Sequence, residues 1–249
     1  MDYPAVHIEN DKHFCDLISQ LLREADKSSV ERLLLDIQDY VIANYALRFP
    51  SGILHLMELE IYYTHKQGTY EGQSTHKDDH QSNRCGMLYD HGKGGTRKGF
   101  DIVLSMGNDY FLSCLVKGSV HEGNPLFKQG VSYSKCQELA GVDNLSEYPD
   151  PVLVKIERTD GVILHSKRVG LTSDKDKDAI LRSLNCSYFG PQSDGFNLLY
   201  KYKGYNKTDF LLAELILRNV TDKEAAEALS REILGYVAKS SIEDSFRKE

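Results

Sequence analysis

Two carboxylates and a phenol alternate along one short stretch of this chain. Glu58, Glu60 and Tyr62 occupy every second position, so a β-strand there would place all three side chains on one face. A carboxylate held beside an aromatic ring can activate a water molecule and hold a flat substrate. The same pattern also fits an ordinary solvated strand face.

The strand that would position these residues is predicted over residues 53–63. Its alternate positions are apolar and are expected to face the core: Met57, Leu59, Ile61 and Tyr63. Further strands are predicted over residues 85–89, 100–105, 110–117, 152–158 and 162–169. The last two are expected to pair with each other as a hairpin across a turn at residues 159–161.

Helices are predicted on both sides of this strand-rich region. Apolar residues at helical spacing indicate a first helix over residues 11–25 and a second that begins with a capping box at Ser28 and ends before Pro50. Near the C-terminus the same signals indicate a helix over residues 208–218. A last helix is predicted from Thr221 to about residue 239, with a frayed end beyond it.

The order of these elements predicts one α+β domain over residues 1–249. It comprises a helical N-terminal element at residues 1–50, a sheet core at 53–190 and C-terminal helices at 207–240. The chain has no internal repeat and no long low-complexity linker, which favours one domain over two.

Composition narrows the functional classes. The formal net charge of -7 argues against a surface coated with nucleic acid, although it permits a local basic patch. The five cysteines are widely spaced and include no Cys-x-x-Cys pair, so we expect neither a zinc ribbon nor a disulfide framework. The sequence shows no signal peptide and no run of about 18 apolar residues that could span a bilayer. We therefore expect an intracellular protein, cytoplasmic or nuclear, with no membrane partner.

Several short segments share their order and spacing with one known family. They are Glu-Leu-Glu-Ile-Tyr at residues 58–62, His76, Arg-Cys-Gly-Met-Leu-Tyr at 84–89, an apolar strand at 110–120, Ser-Lys-Cys-Gln-Glu-Leu at 134–139 and Arg-Val-Gly-Leu at 168–171. Taken together, these segments resemble the alkyladenine (3-methyladenine) DNA glycosylase family. The similarity extends over residues 53–190.

The resemblance implies a mixed, mainly antiparallel curved sheet with flanking helices and a base-sized pocket on one face. Glu60 matches the family's water-activating base, and Tyr62 matches the aromatic residue that stacks on a flipped base. His76 matches the pocket histidine, although a lone loop histidine is often merely exposed. Lys117 stands where the family has an arginine. The residues expected to contact substrate are Glu58, Glu60, Tyr62, His76, Tyr89 and Lys117.

Basic residues that could contact a nucleic-acid backbone occur around the proposed pocket. They are Arg84, Lys93, Arg97, Lys98 and Arg168. The loop at residues 91–98 is also rich in glycine, and its backbone amides could cradle a phosphate. The loop is not a Walker motif, because no Gly-Lys-Ser/Thr follows a first glycine at the four-residue spacing. The alternative interpretation is a basic loop exposed to solvent.

The chain departs from the family pattern at two places. The turn at residues 106–109 has no aromatic tip that could wedge into DNA, and Tyr110 is the nearest candidate for that role. The family's pocket asparagine has no counterpart here, and the strand offers Asp101 and Cys114 instead.

A metal site is not favoured by the sequence. His76 and His80 lie four residues apart with acids between them, but no third ligand is indicated. We expect no metal and no organic cofactor. Cys114 and Cys136 occur among apolar residues and are expected to be structural rather than nucleophilic.

These expectations favour a monofunctional DNA glycosylase-like hydrolase that excises a modified nucleobase with a carboxylate-activated water after base flipping. The expected partner is DNA, either duplex or single-stranded, and the expected state is a monomer. Two alternatives remain open. One is a non-catalytic nucleic-acid- or nucleotide-binding protein on the same scaffold, and the other is a hydrolase of a small nucleoside-like ligand.

Overall fold

The computed structural model describes residues 7–66, 70, 79–91, 98–157, 161–168, 179–188 and 207–246. The strands are β1 (Tyr45–Phe49), β2 (Gly52–His65), β3 (Leu88–Asp90), β4 (Phe100–Val103), β5 (Tyr110–His121), β6 (Asn124–Leu126), β7 (Leu153–Lys155), β8 (Ile163–Ser166) and β9 (Arg182–Asn185). The α-helices are α1 (Lys12–Leu21), α2 (Lys27–Asn44), α3 (Gln129–Ala140), α4 (Lys207–Leu217), α5 (Lys223–Leu234) and α6 (Lys239–Phe246). Short 3-10 helices lie at Ile8–Asn10, Asp79–Gln81, Leu145–Glu147 and Cys186–Tyr188.

The nine strands form one curled antiparallel sheet, a half-barrel with helices around it. The strand order along its main path is β3-β4-β5-β2-β1-β7, with β6 paired to β5, β9 paired to β2 and β8 paired to β9. In the described part of the chain every strand pair is antiparallel. The predicted α+β class and the mainly antiparallel curved sheet are therefore confirmed.

Helices from both ends of the chain pack on this sheet. Apolar residues of α1, α2 and α3 share a buried cluster with Leu59 and Ile61 of β2. Apolar residues of α4, α5 and α6 share a second cluster with Leu164 of β8 and Leu184 of β9. None of the described helices is long and apolar enough to cross a membrane.

A β-bulge interrupts the central strand pair close to the candidate residues. The register between β2 and β5 shifts on both sides of Glu58, so Met57 leaves the expected alternation. Met57 belongs to the second cluster with Leu184, and the prediction that it shares a face with Leu59 is wrong. Gly118 permits this close approach, because a Cβ atom there would lie 2.6 Å from Met57 Cε.

The second helix is shorter than predicted at its C-terminal end. Residues 45–49 form strand β1, whose backbone pairs with β2 on one side and β7 on the other. Helix α2 begins after Asp26 rather than Ser28, because the Asp26 carboxylate accepts the Ser29 backbone N–H at 2.9 Å. The helical prediction is wrong at residues 45–49 because hydrogen bonding of this segment to β2 and β7 stabilises a strand more than the local sequence pattern stabilises a helix.

Two other local predictions are wrong. Strands β7 and β8 were expected to form a hairpin, but β7 pairs with β1 and β8 pairs with β9. The last helix was expected to run to residue 239, but it ends at Leu234 because Gly235 adopts a left-handed conformation with φ 78. The segment beyond it is helix α6 rather than a frayed end.

A histidine joins three elements of the fold. His165 in β8 places Nδ1 2.7 Å from Glu214 Oε1 of α4 and Nε2 2.9 Å from Asp39 Oδ2 of α2. Both ring nitrogens can donate to a carboxylate only when the imidazole is protonated. Burial lowers the pKa of His165, but the hydrogen bonds and charges of Asp39 and Glu214 outweigh it and raise the pKa to about 9.

This contact predicts a pH-dependent stability. Because the pKa of His165 is higher in the folded protein than the ordinary 6.5, its contribution is fully present below pH 6.5 and is lost as the pH rises to about 9. The free energy of unfolding, measured by urea titration at pH 6 and pH 9.5, should fall by ~3 kcal/mol across this range. His165→Gln should remove most of that difference, and an equal fall in the variant would contradict the assignment.

Candidate functional site

The candidate residues lie on the sheet face opposite α1 and α2. On this face Glu60 is the cross-strand partner of Leu115, and Tyr62 is the partner of Ser113. Asp101 of β4 is also a partner of Leu115, so it lies on the same face two strands away from Glu60. The sheet therefore brings polar side chains of β2, β5 and β4 onto one buried face.

Glu60 is buried and is held by two of the residues predicted with it. Its side chain is 1% exposed, and the Tyr62 hydroxyl donates a hydrogen bond to Oε2 at 3.0 Å. The Lys117 ammonium lies 3.7 Å from Oε1 and provides an opposite charge.

The guanidinium of Arg168 packs against the ring of Tyr62. The Arg168 guanidinium lies 4.8 Å from the centre of the Tyr62 ring, and its Nη1 donates to the Ile61 carbonyl at 3.3 Å. Burial, and then the negative charge of Glu60, raise the pKa of Tyr62 well above its usual value, so the phenol remains a hydrogen-bond donor. Arg168 is itself buried, which places it behind Tyr62 instead of on an exposed basic surface.

Glu58 has a different environment from Glu60. Its carboxylate is fully buried and accepts a hydrogen bond from Arg182 Nε at 2.5 Å. Arg182 is the cross-strand partner of Glu60 on β9, and its guanidinium also lies 5.4 Å from the Phe210 ring of α4. This ion pair gives Glu58 a structural role that its position beside Glu60 in sequence did not indicate.

A second polar group on the same face centres on Asp101. Its Oδ2 accepts hydrogen bonds from Gln81 Nε2 at 2.7 Å and from Ser113 Oγ at 3.1 Å, and its Oδ1 lies 2.7 Å from His91 Nε2. Because Ser113 is directly opposite Tyr62, this group adjoins the Glu60–Tyr62 pair. Asp101 was noted in the sequence as a possible replacement for the family's asparagine, whereas Gln81, Ser113 and His91 were missed.

His91 lies at the partly exposed end of this group. Burial lowers the pKa of His91, but the charge and hydrogen bond of Asp101 outweigh that effect, and the net shift is upward. The Tyr89 ring packs edge-on to the imidazole at 5.5 Å between centroids. Tyr89, predicted to contact substrate, is half-buried and is the cross-strand partner of Asp101.

Two predicted basic residues outside this group are described by the structure. Arg84 is half-buried and Lys98 is exposed. The predicted residues His76, Lys93 and Arg97 lie outside the described residues. Contact of any of these five side chains with DNA or substrate stays a prediction.

The residue considered as a DNA wedge is not available for that role in this conformation. Tyr110 is 3% exposed, and its hydroxyl accepts a hydrogen bond from the Met106 backbone N–H at 2.8 Å. Insertion between bases would require breaking this contact and exposing the ring.

Within the described ranges, no group of three or more His, Cys, Asp or Glu side chains is arranged to hold a metal ion. Cys114 and Cys136 are buried, and burial raises the pKa of each thiol, as expected for structural cysteines.

The fold and the site define an α+β protein with a half-barrel sheet that holds a buried glutamate–tyrosine pair on one face. No protein-family model matches the chain, and no curated protein matches it. A relation to the alkyladenine glycosylases therefore stays a prediction from the sequence segments.

Proposed function

We propose that this chain is a DNA glycosylase-like hydrolase that excises a modified nucleobase on a scaffold related to the alkyladenine DNA glycosylases. The observation that supports this most directly is the contact between Glu60 and Tyr62. It combines a buried carboxylate with an aromatic ring at one end of a polar sheet face. Hydrolysis of an N-glycosidic bond needs such a carboxylate near the sugar carbon, and a flipped base needs a ring on which to stack.

In this mechanism a water molecule attacks the sugar carbon that bears the base. The carbon–nitrogen bond breaks, its electron pair leaves with the base, and the transition state has cationic character at the sugar. Glu60 accepts the proton of the attacking water, and its negative charge stabilises the cationic sugar. The Tyr62 hydroxyl and Lys117 hold the carboxylate in place.

Tyr62 would provide the surface that holds the base. Arg168 packs on one side of the Tyr62 ring, so the base would stack on the opposite side. Stacking of one base on an aromatic side chain contributes roughly 1–3 kcal/mol and tolerates different bases. Binding at Tyr62 would therefore position the sugar beside Glu60 without selecting the base by itself.

The burial of the site favours a second candidate, a hydrolase of a small nucleoside-like ligand. Glu60 is 1% exposed and Tyr62 is 9% exposed, so a small ligand would reach them more easily than a nucleotide attached to DNA. The net charge of -7 also gives less long-range attraction to DNA than a basic surface would. The chemistry at Glu60 is the same for both candidates, and only the bulk of the substrate differs.

One experiment tests both candidates. The full-length protein is incubated with duplexes and single strands that contain methylated, deaminated, oxidised or hypermodified bases, and abasic sites are revealed by alkaline cleavage. The corresponding free nucleosides are assayed in parallel by chromatography. Release from DNA supports the glycosylase, and release from nucleosides alone supports the second candidate. Tight binding of modified DNA with no release from any substrate would contradict both hydrolases.

A further inference from the structure

A buried amide, Gln81, is linked to the Glu60–Tyr62 pair through Asp101 and Ser113 and is not used in the proposed hydrolysis. Gln81 ends the short 3-10 helix Asp79–Gln81, and its side chain is 0% exposed. Its Nε2 donates to Asp101 Oδ2 at 2.7 Å. Gln81 therefore belongs to the polar group on the same sheet face as Glu60.

Asp101 determines which way the Gln81 amide faces. A carboxylate accepts hydrogen bonds, so the amide nitrogen must point toward Asp101 and the amide oxygen must point away from it. The opposite orientation would place Gln81 Oε1 against Asp101 Oδ2, and two acceptors in contact repel. Ser113 and His91 hold Asp101 in turn, which fixes the orientation of the whole group.

The amide oxygen is an acceptor that still needs a donor. Among the side chains that the structure describes, Gln81 Oε1 is a buried atom without a hydrogen-bond partner. Buried acceptors are normally satisfied, because leaving one unpaired costs free energy. A ligand with an N–H group at this point would satisfy it.

The spacing between Asp101 and Glu60 is comparable to the length of a nucleoside. Asp101 and Glu60 are both cross-strand partners of Leu115, so their backbones lie two strand spacings apart, about 10 Å. A base stacked on Tyr62, with its sugar at Glu60, would extend along the sheet toward Ser113 and Asp101. Its hydrogen-bonding edge would then meet the group that contains Gln81.

We propose that Gln81 is a specificity-determining residue that accepts a hydrogen bond from an exocyclic amino group of the bound base. This inference depends on the proposed use of the Glu60–Tyr62 site for a nucleobase. A base with a carbonyl oxygen at the same position would place two acceptors face to face. The amide cannot turn over to relieve this contact, because Asp101 holds its nitrogen, so the site discriminates against the carbonyl base.

The test measures binding separately from base release. In a Glu60→Gln background, fluorescence anisotropy gives the affinity for duplexes that differ only in one mispaired base. Adenine is compared with hypoxanthine, and cytosine with uracil, so each pair exchanges an amino group for a carbonyl. The amino member should bind roughly tenfold or more tightly, since one discriminating hydrogen bond has about this effect. Adding Gln81→Met, which removes the acceptor at similar volume, should abolish the preference.

A second variant keeps the test informative if Gln81→Met does not fold. Asp101→Asn can present either a donor or an acceptor to Gln81, so the amide is free to turn and the preference should narrow toward equality. Thermal unfolding confirms that each variant is folded before binding is measured. A preference that persists unchanged in both variants would overturn the role of Gln81.

The outcomes separate this inference from the proposed function. Equal binding of amino and carbonyl bases, together with base release by the unmodified protein, would overturn the role of Gln81 and retain the glycosylase. A Gln81-dependent preference without base release would retain the inference for a binding site and overturn the hydrolase. Absence of both binding and release would overturn both.

Discussion

Replacement of Glu60 by glutamine is expected to abolish base release while leaving the fold intact. Glutamine keeps the shape of the side chain, and its oxygen can still accept the Tyr62 hydroxyl. It cannot accept a proton from water, so the rate should fall by about 10²–10⁴-fold, the usual range for loss of a general base. The measurement is the single-turnover rate of base release from whichever modified substrate proves active.

Glu138→Gln provides the matched control. Glu138 lies on α3, is 66% exposed in its side chain and pairs with Lys135 at the surface. Its replacement should leave both the rate and the midpoint of thermal unfolding unchanged. If Glu60→Gln retains the rate of the unmodified protein, Glu60 does not activate water, whatever the behaviour of the control.

The part of this site that sequence reasoning could predict is the part encoded by local alternation. Period-two spacing was sufficient to place Glu60 and Tyr62 on one strand face, and the structure joins them by a hydrogen bond. The same spacing placed Glu58 with them, but it contained no information about Arg182, which lies far away in sequence. Partners supplied by distant strands leave no periodic signal near the residue they hold.

The Asp101 group is a second example of partners that local sequence patterns do not predict. An aspartate within an apolar strand signals a buried polar contact, and that much is visible in the sequence. Gln81 comes from the short 3-10 helix before β3 and His91 directly follows β3, and neither periodicity nor a motif marks either residue. The β-bulge at Met57 was also hidden, because a shift in register depends on the facing Gly118 as much as on β2 itself.

The irregular pairing of the outer strands has a related cause. A turn signal between residues 158 and 162 indicates that the chain reverses direction, but it does not determine which strands become neighbours. In the folded sheet, β7 completes the edge beside β1, while β8 pairs with β9 under helix α4. Strand partners are determined by the burial of apolar faces across the whole sheet. A local sequence pattern contains no information about that burial, so it does not predict which strands pair.

Glu58→Gln is expected to have the opposite effect from Glu60→Gln, with a large loss of stability. Glu58 is 0% exposed and its partner Arg182 is 4% exposed, so the substitution removes the negative charge facing a buried guanidinium. Loss of one member of a buried ion pair costs about 3–5 kcal/mol, mainly because the remaining charge is poorly solvated. The free energy of unfolding from urea titration measures this loss directly.

A double-mutant cycle shows whether the loss belongs to the ion pair. Arg182→Met alone should also destabilise the protein, whereas Glu58→Gln combined with Arg182→Met should cost much less than the sum of the two single changes. Strictly additive losses would show that Glu58 and Arg182 do not depend on each other. Coupling at Glu58, together with a smaller loss of stability in Glu60→Gln, whose partner Lys117 is 20% exposed, would separate two carboxylates of one strand into a structural residue and a reactive one. Alternation along the strand treats them as equivalent, and only the partners supplied by β5 and β9 distinguish them.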